Sequence, residues 1–419
     1  MKCRFCQSEL KVLFIDLFNA PPSNAYLEAQ ELDMPETSYP LKIFVCEQCF
    51  LVQIDEYKKS SEIFDSKYAY FSSYSSSWLK HAQNYVEMIT DRLQLHKDSF
   101  VIEIASNDGY LLQYFKQHQI PCLGIEPTHS TAQACKEKGI EVLEEFFGLE
   151  LAAKLPQCDL ILGNNVLAHV PDILDFVKGV KAVLKPNASA TFEFPHLLNL
   201  IKYNQFDTIY HEHFSYLSLL STLKIFEACG LRIYDVEELP THGGSLRIYA
   251  THTESNLPTS KNVALLLQKE KDFGLDKIKT YMGFEQRIRE LKFEFLSFIA
   301  KAKMEGKKIV AYGAAAKGNT LLNYYGLKSD SIDFVIDASP HKVGKFMPQS
   351  HIPILDKKEL ERAKPDYVLI LPWNLKDEIT QQLSYLKHSD TSSASNAKNM
   401  RGGGAACKFV VAIPKLEIF

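Results

Sequence analysis

The sequence predicts an α/β protein: two α/β domains behind a small cysteine module. Three observations predict it. Two C-x-x-C pairs, Cys3 with Cys6 and Cys46 with Cys49, stand within the first fifty residues. Residues 101–127 read strand, turn, helix, strand. A second unit of that kind begins at residue 308. Short apolar runs of this type mark strands buried on both faces of a parallel sheet.

At 419 residues the chain has room for two to three domains. A hydrophobic fraction of 46% with 23% charged residues is ordinary for a globular protein. The formal charge of −4 leaves no broad basic footprint, so no nucleic-acid partner is expected. No apolar run is long enough to span a bilayer, so no membrane partner is expected. The opening MKCRFCQSEL lacks the apolar core of a signal peptide, and a cytoplasmic, reducing location is expected. Nine cysteines there do not make a disulfide framework. Cys122, Cys135, Cys158, Cys229 and Cys407 read as small core residues.

Residues 1–66 read as a zinc module. Cys3, Cys6, Cys46 and Cys49 offer four thiolates. Four protein ligands fill a tetrahedral zinc, which makes the metal structural. The long insert between the pairs must fold over the site, through Pro21, Pro22 and the apolar runs 12–14 and 43–45.

Residues 67–252 read as the central domain. Ser75, Ser76 and Ser77 offer caps to a helix whose Trp78, Ala82, Tyr85 and Ile89 share a face. Tyr68, Tyr70 and Tyr74 precede it. Strand 101–105 leads through the turn 106–109 into helix 110–117. Strand 122–125 then ends at Glu126. Gly109 lets the backbone approach a ligand, and Glu126 stands where a carboxylate reaches both ribose hydroxyls. The loop is not G-x-G-x-x-G, which a dinucleotide pyrophosphate requires. Its Glu103 and Asp108 suit a cation without phosphate, such as S-adenosylmethionine. Glu103, Ala105, Asn107, Gly109, Glu126 and, at the next strand end, Asn164 are the candidate cofactor residues. Glu144 to Phe147 set acids beside aromatics at another strand end, a composition that suits an adenine.

The alternation continues through strands 159–162 and 188–194. His169 follows the first and His196 the second, at the carboxyl edge of the sheet. The segment FDTIYHEHF, 206–214, puts Tyr210, Glu212 and two histidines within four residues. As an extended piece it sets His211 and His213 on one side, and a bend converges Tyr210, Glu212 and His213. A helix capped by Ser218 follows, and THGGSLRIY turns into a returning strand.

Residues 253–419 open on a helix with Phe284, Ile288, Leu291, Phe295 and Phe298 on one face. Strand 308–312, turn 313–319 and a helix from Thr320 follow, with further strands at 334–337, 367–371 and 409–413. Small residues with a lysine before a helix make an anion site, so Lys317 and Asn319, with His196, are candidate substrate contacts. The Ser/Asn/Gly-rich stretch 388–406 reads as a flexible loop.

The stretch 101–127 resembles motifs I and II of the class I methyltransferases, with Ala105 and Asn107 at the first two glycine positions. In order, the paired knuckles, YAYFSSYSSSW, EIASNDGYLL, NNVLAHV, FDTIYHEHFSYLS and THGGSLRIY resemble the three-domain nucleotide-sugar C-methyltransferases. The resemblance implies S-adenosylmethionine as methyl donor. It also implies a nucleotide-linked keto sugar as substrate, methylated beside its carbonyl. The C-terminal Rossmann-like domain then closes on the substrate's nucleotide. It maps the catalytic set onto Tyr70, His169, Tyr210, Glu212 and His213, with His213 as base. The alternative is methylation of an oxygen or nitrogen. An RNA-modifying protein or a scaffold fits the acidic charge and the YHEH cluster less well.

Overall fold

The computed structural model describes residues 1–59, 62, 71–387 and 406–419. Tyr68, Tyr70 and nearly all of the 388–406 stretch lie outside them. The chain forms two compact units, each gathered from three stretches. The first takes Met1–Ile15, Lys42–Asn199 and His211–Met282; the second takes Asp16–Leu41, Leu200–Tyr210 and Gly283–Phe419. Among the described residues no helix is long and apolar enough to cross a membrane.

Three strands come first in sequence: β1 (Val12–Ala20), β2 (Tyr39–Val45) and β3 (Val52–Ile54). β2 and β3 pair antiparallel, with Val45 opposite Val52. β3 is buried at all three residues, Gln53 included, because it is paired on both edges and the Gln53 side chain accepts the Arg4 N–H at 2.8 Å.

The central strands are β4 (Val101–Ile104), β5 (Cys122–Ile125), β6 (Glu141–Leu143), β7 (Cys158–Asn164) and β8 (Leu184–Pro195). β9 (Ser215–Tyr216) leaves for the first sheet. β10 (Leu231–Leu239) and β11 (Ser245–His252) return. The seven-stranded sheet runs β10-β11-β8-β7-β4-β5-β6. β4 to β8 are parallel, and β11 is antiparallel to both β8 and β10. This is the mixed sheet that the resemblance to class I methyltransferases implies. All four residues of β4 are buried, as a central strand covered on both faces requires. The helix Ser76–Leu93 begins where Ser75 Oγ accepts the Trp78 N–H at 3.2 Å, and Ser218 caps Leu219–Ala228 in the same way.

The second unit holds β12 (Ile309–Tyr312), β13 (Val335–Ile336), β14 (Ile354–Leu355), β15 (Tyr367–Ile370), β16 (Lys408–Val411) and β17 (Glu417–Ile418). Their order is β14-β13-β12-β15-β16-β17, parallel except for β17. The long helix Phe284–Met304 buries Phe284, Ile288, Phe295 and Ile299 and leaves Leu291 and Phe298 half-buried. The helix after β12 starts at Ala316, so Lys317 and Asn319 belong to its first turn and not to a preceding loop.

Two local readings change. The helix expected from residue 110 begins at Leu112, because the turn from Asn107 carries left-handed backbone. The 206–214 segment is not extended: Phe206–Thr208 form a 3-10 turn and His211 and Glu212 a second turn.

Candidate functional site

The loop after β4 is shaped for a ligand. Ala105, Asn107 and Gly109 have φ of 54°, 50° and 73°. All three are left-handed, so the positions resembling motif I glycines keep a glycine-type backbone even where Ala and Asn stand. Asparagine visits this region readily; alanine is strained there. Gly109 admits no side chain, since a Cβ would lie 2.7 Å from Cys135 Sγ and 2.8 Å from Ile140 Cδ1.

Glu126 closes the loop. Its two oxygens accept the N–H groups of Asn107 and Thr128, each at 2.9 Å. Burial raises its pKa, and those amides pull the other way. Glu103 is fully buried; burial first, then the charges of Asp108 and Glu126, push it well above the usual carboxylate range. Three buried acids crowd one loop, and a cation is the ligand that relieves them. The residues therefore fit S-adenosylmethionine. Asn107 Oδ1 also accepts the Ser72 N–H at 2.9 Å, and Trp78 stacks on Tyr110 with centroids 6.0 Å apart. The segment before the first helix is thus tied to the loop. Phe147, by contrast, packs on Phe176, while Phe146 is exposed.

The neighbouring strand β7 ends at Asn164, half-buried beside this edge. Asn165, left-handed at φ 57°, meets His242 Nε2 at 3.1 Å. A short turn, Leu167–His169, then presents His169. Its ring stands edge-on to the His213 ring, centroids 4.6 Å apart. It also hydrogen-bonds the backbone carbonyl of Glu212. Burial lowers its pKa to about 4, against that carbonyl's opposite pull. His169 is therefore a neutral imidazole that spends its N–H on the 211–213 turn, which makes its other nitrogen an acceptor. His211, Glu212 and His213 are all buried. Tyr210, half-buried, is the last residue of its stretch of the second unit.

His196 is fully buried, its Nε2 2.7 Å from Glu270 Oε1. The same carboxylate accepts the Leu219 and Leu220 N–H groups at 2.7 Å, capping a helix start. Glu193, two residues before Pro195, gathers His81 at 2.8 Å, Arg247 at 2.9 Å and Thr241 at 2.7 Å. Burial alone would raise Glu193; the His81 hydrogen bond and the Arg247 charge bring it down to about 2.

In the second unit Lys317 lies over the Trp373 ring, 5.2 Å from its centroid, and 3.4 Å from Asn374 Oδ1. Burial lowers its pKa, and Asp207 opposes the shift. Asp207 accepts the Trp373 indole N–H at 2.8 Å, and burial raises its pKa to about 6 against the Lys317 charge. Asn319 is buried and accepts from Asn323 at 2.9 Å. Sequence reasoning passed over Asp207 and Trp373. The tryptophan, one of two in the chain, was the available signal.

The four paired cysteines converge. Their Sγ atoms lie within 4.8 Å of one another, with Cys3 to Cys49 at 3.5 Å and Cys6 to Cys46 at 3.4 Å. A tetrahedral Zn–S4 site puts sulfurs about 3.8 Å apart, so the set fits zinc with little adjustment. The hydrogen bond between Cys3 and Cys49 lowers the Cys3 pKa and raises that of Cys49.

Comparison with known proteins finds three families along the chain. A zinc binding domain family matches residues 3–64, a methyltransferase domain family residues 78–236, and a C-methyltransferase C-terminal domain family residues 240–393. C-methyltransferase NovU of Streptomyces niveus is 32% identical over 382 residues, covering 90% of this chain and 91% of its own. Among solved structures, a SAM-dependent methyltransferase from Archaeoglobus fulgidus covers 40% of this chain and 93% of its own, at 15% identity and TM-score 0.33. Magnesium protoporphyrin IX methyltransferase from Synechocystis PCC 6803 covers 42% and 81%, at 13% identity and TM-score 0.33. With its zinc-binding, methyltransferase and C-terminal domains in order and this extent of identity to NovU, the chain belongs to the S-adenosylmethionine-dependent C-methyltransferases.

Proposed function

We propose that the chain methylates the carbon beside the ketone of a nucleoside-diphosphate-linked keto-deoxysugar, with His213 as the base. The observation that carries the reading is the edge-on pair of His213, buried, and His169, half-buried, which follows the carboxyl end of β7. S-adenosylmethionine supplies a methyl group on a cationic sulfur. His213 takes the proton from the sugar carbon; an imidazole has a suitable pKa for that at neutral pH. Tyr210 donates to the oxygen on which enolate charge develops. Glu212, through its carbonyl, and His169, through its N–H, hold the turn that aims His213. The loop 105–109 with Glu103, Asn107 and Glu126 holds the cofactor, and Asn164 borders it.

The resemblance gives Tyr70 a place in the same set. Lys317 and Asn319, in the first turn of a ten-residue helix without a side-chain cap, suit the diphosphate. The half-buried lysine has lost part of its water and gains from a phosphate partner. The C-terminal domain is the nucleotide-binding part in this reading.

A panel of nucleotide-linked keto sugars incubated in D2O with S-adenosylmethionine tests it. The expected product carries its new methyl on carbon. His213→Asn is expected to lose turnover roughly 10²- to 10⁴-fold, the usual worth of a positioned base. Cofactor affinity by calorimetry should hold. Substrate C–H exchange that survives in His213→Asn would remove the histidine from the role.

A further inference from the structure

Arg4 sits between two zinc-ligand cysteines, yet its side chain serves a different place. One guanidinium nitrogen donates to the Pro171 carbonyl at 2.7 Å, and another donates to the Ile54 carbonyl. The guanidinium also lies over the Phe214 ring, 5.4 Å from its centroid. Pro171 follows His169 by two residues, and Phe214 follows His213 by one. The backbone of the same stretch is held by strand pairing. Ile54 N–H donates to the Phe214 carbonyl at 3.1 Å, and Val52 and Gln53 of β3 stand opposite Tyr216 and Ser215 of β9. The Arg4 amide donates to Gln53 Oε1 at 2.8 Å, and the Gln53 amide reaches Cys3 Sγ at 3.2 Å. A continuous set of contacts thus runs from the knuckle to both histidine-bearing turns.

We infer that Arg4 is a positioning residue for methyl transfer, fixing the His169 and His213 turns against each other from the zinc knuckle. The inference rests on the reading of His213 as the base. A planar guanidinium can serve two carbonyls and a ring face at once; a lysine ammonium keeps the charge but not that fork. Small displacements of a base from its near-attack position are costly in rate.

The test is Arg4→Lys in the full-length, zinc-loaded protein. The expected kcat falls roughly 10- to 100-fold while KM and S-adenosylhomocysteine affinity stay within about twofold. Zinc content should match the parent, and amide hydrogen exchange across 211–216 should quicken. An unchanged kcat, or unchanged protection of 211–216, overturns the inference. So does a joint fall of kcat, cofactor affinity and zinc content, since that marks a role in holding the metal module together. Should Arg4→Lys not fold, Phe214→Leu removes the ring under the guanidinium and leaves the knuckle intact. The same split of kcat from KM is then expected, and parental kcat overturns the inference. His213→Asn runs alongside: full turnover there removes the base assignment, and the exchange data alone then decide whether Arg4 orders the segment.

Discussion

At the scale of single residues, backbone geometry explains what side-chain identity obscured. Ala105 holds a left-handed φ of 54° in the cofactor loop. That conformation costs an alanine about 1–2 kcal/mol, and glycine's extra freedom in the unfolded chain returns about 0.4–1 kcal/mol of that. Ala105→Gly is therefore expected to stabilise the protein by roughly 0.5 kcal/mol, read as a higher urea midpoint at unchanged m-value. Asp207 offers a pH test. Its pKa rises from 3.8 to about 6 on folding, chiefly through burial. A raised carboxyl pKa means stability lost as pH climbs from 3.8 to 6, and a constant deficit above. Asp207→Asn keeps an oxygen for the Trp373 indole and removes the deficit. Its advantage over the parent should grow across that window and level off at no more than roughly 3 kcal/mol. An advantage independent of pH would show that ionisation is not its source.

At the scale of elements, the zinc knuckles and the parallel strands were legible because their signals are local. The C-x-x-C spacing, the apolar runs at 101–104 and 309–312 and the serine caps each act within a few residues. The 206–214 segment was not legible as structure. Its turns form because Thr320 Oγ donates to the Ile209 carbonyl and Phe206 packs on Tyr324 and Tyr325, partners over a hundred residues away. The YHEH string marked the chemistry there without revealing the shape. The four-cysteine site likewise predicts an element-scale result. Cys46→Ser, or strong chelation, should release the metal and unfold the strands around it, because binding energy of a structural zinc is folding energy. One zinc per chain by mass spectrometry, and an equal loss of melting temperature from either treatment, are expected; a metal-free protein with the parental melting curve would show that these sulfurs hold no zinc.

At the scale of the whole molecule, pH sensitivity follows from ionisable groups of the first unit. His169 falls from 6.5 to about 4 on folding, chiefly through burial. Its neutral form is part of the fold, so its contribution is complete above pH 6.5 and drains away toward pH 4. Glu193 falls from 4.5 to about 2, because His81 and Arg247 outweigh the cost of burial. Its contribution is complete above pH 4.5 and drains toward pH 2. Glu103 and Glu126 of the same unit shift the opposite way, because burial raises both. The His169 part is therefore read as a difference: the urea midpoint of the parent relative to His169→Gln should be flat from pH 8 to 7 and decline below 6.5, and a difference independent of pH would show that its ionisation is not the source. Asp207 of the second unit has the same sign as the two acids, between pH 3.8 and 6.

Each compact unit borrows three separated stretches of chain, and their order along the polypeptide is interleaved. Swapping only 283–419 with a relative would strand that piece from its native 16–41 and 200–210. A useful chimera must therefore carry three coordinated grafts.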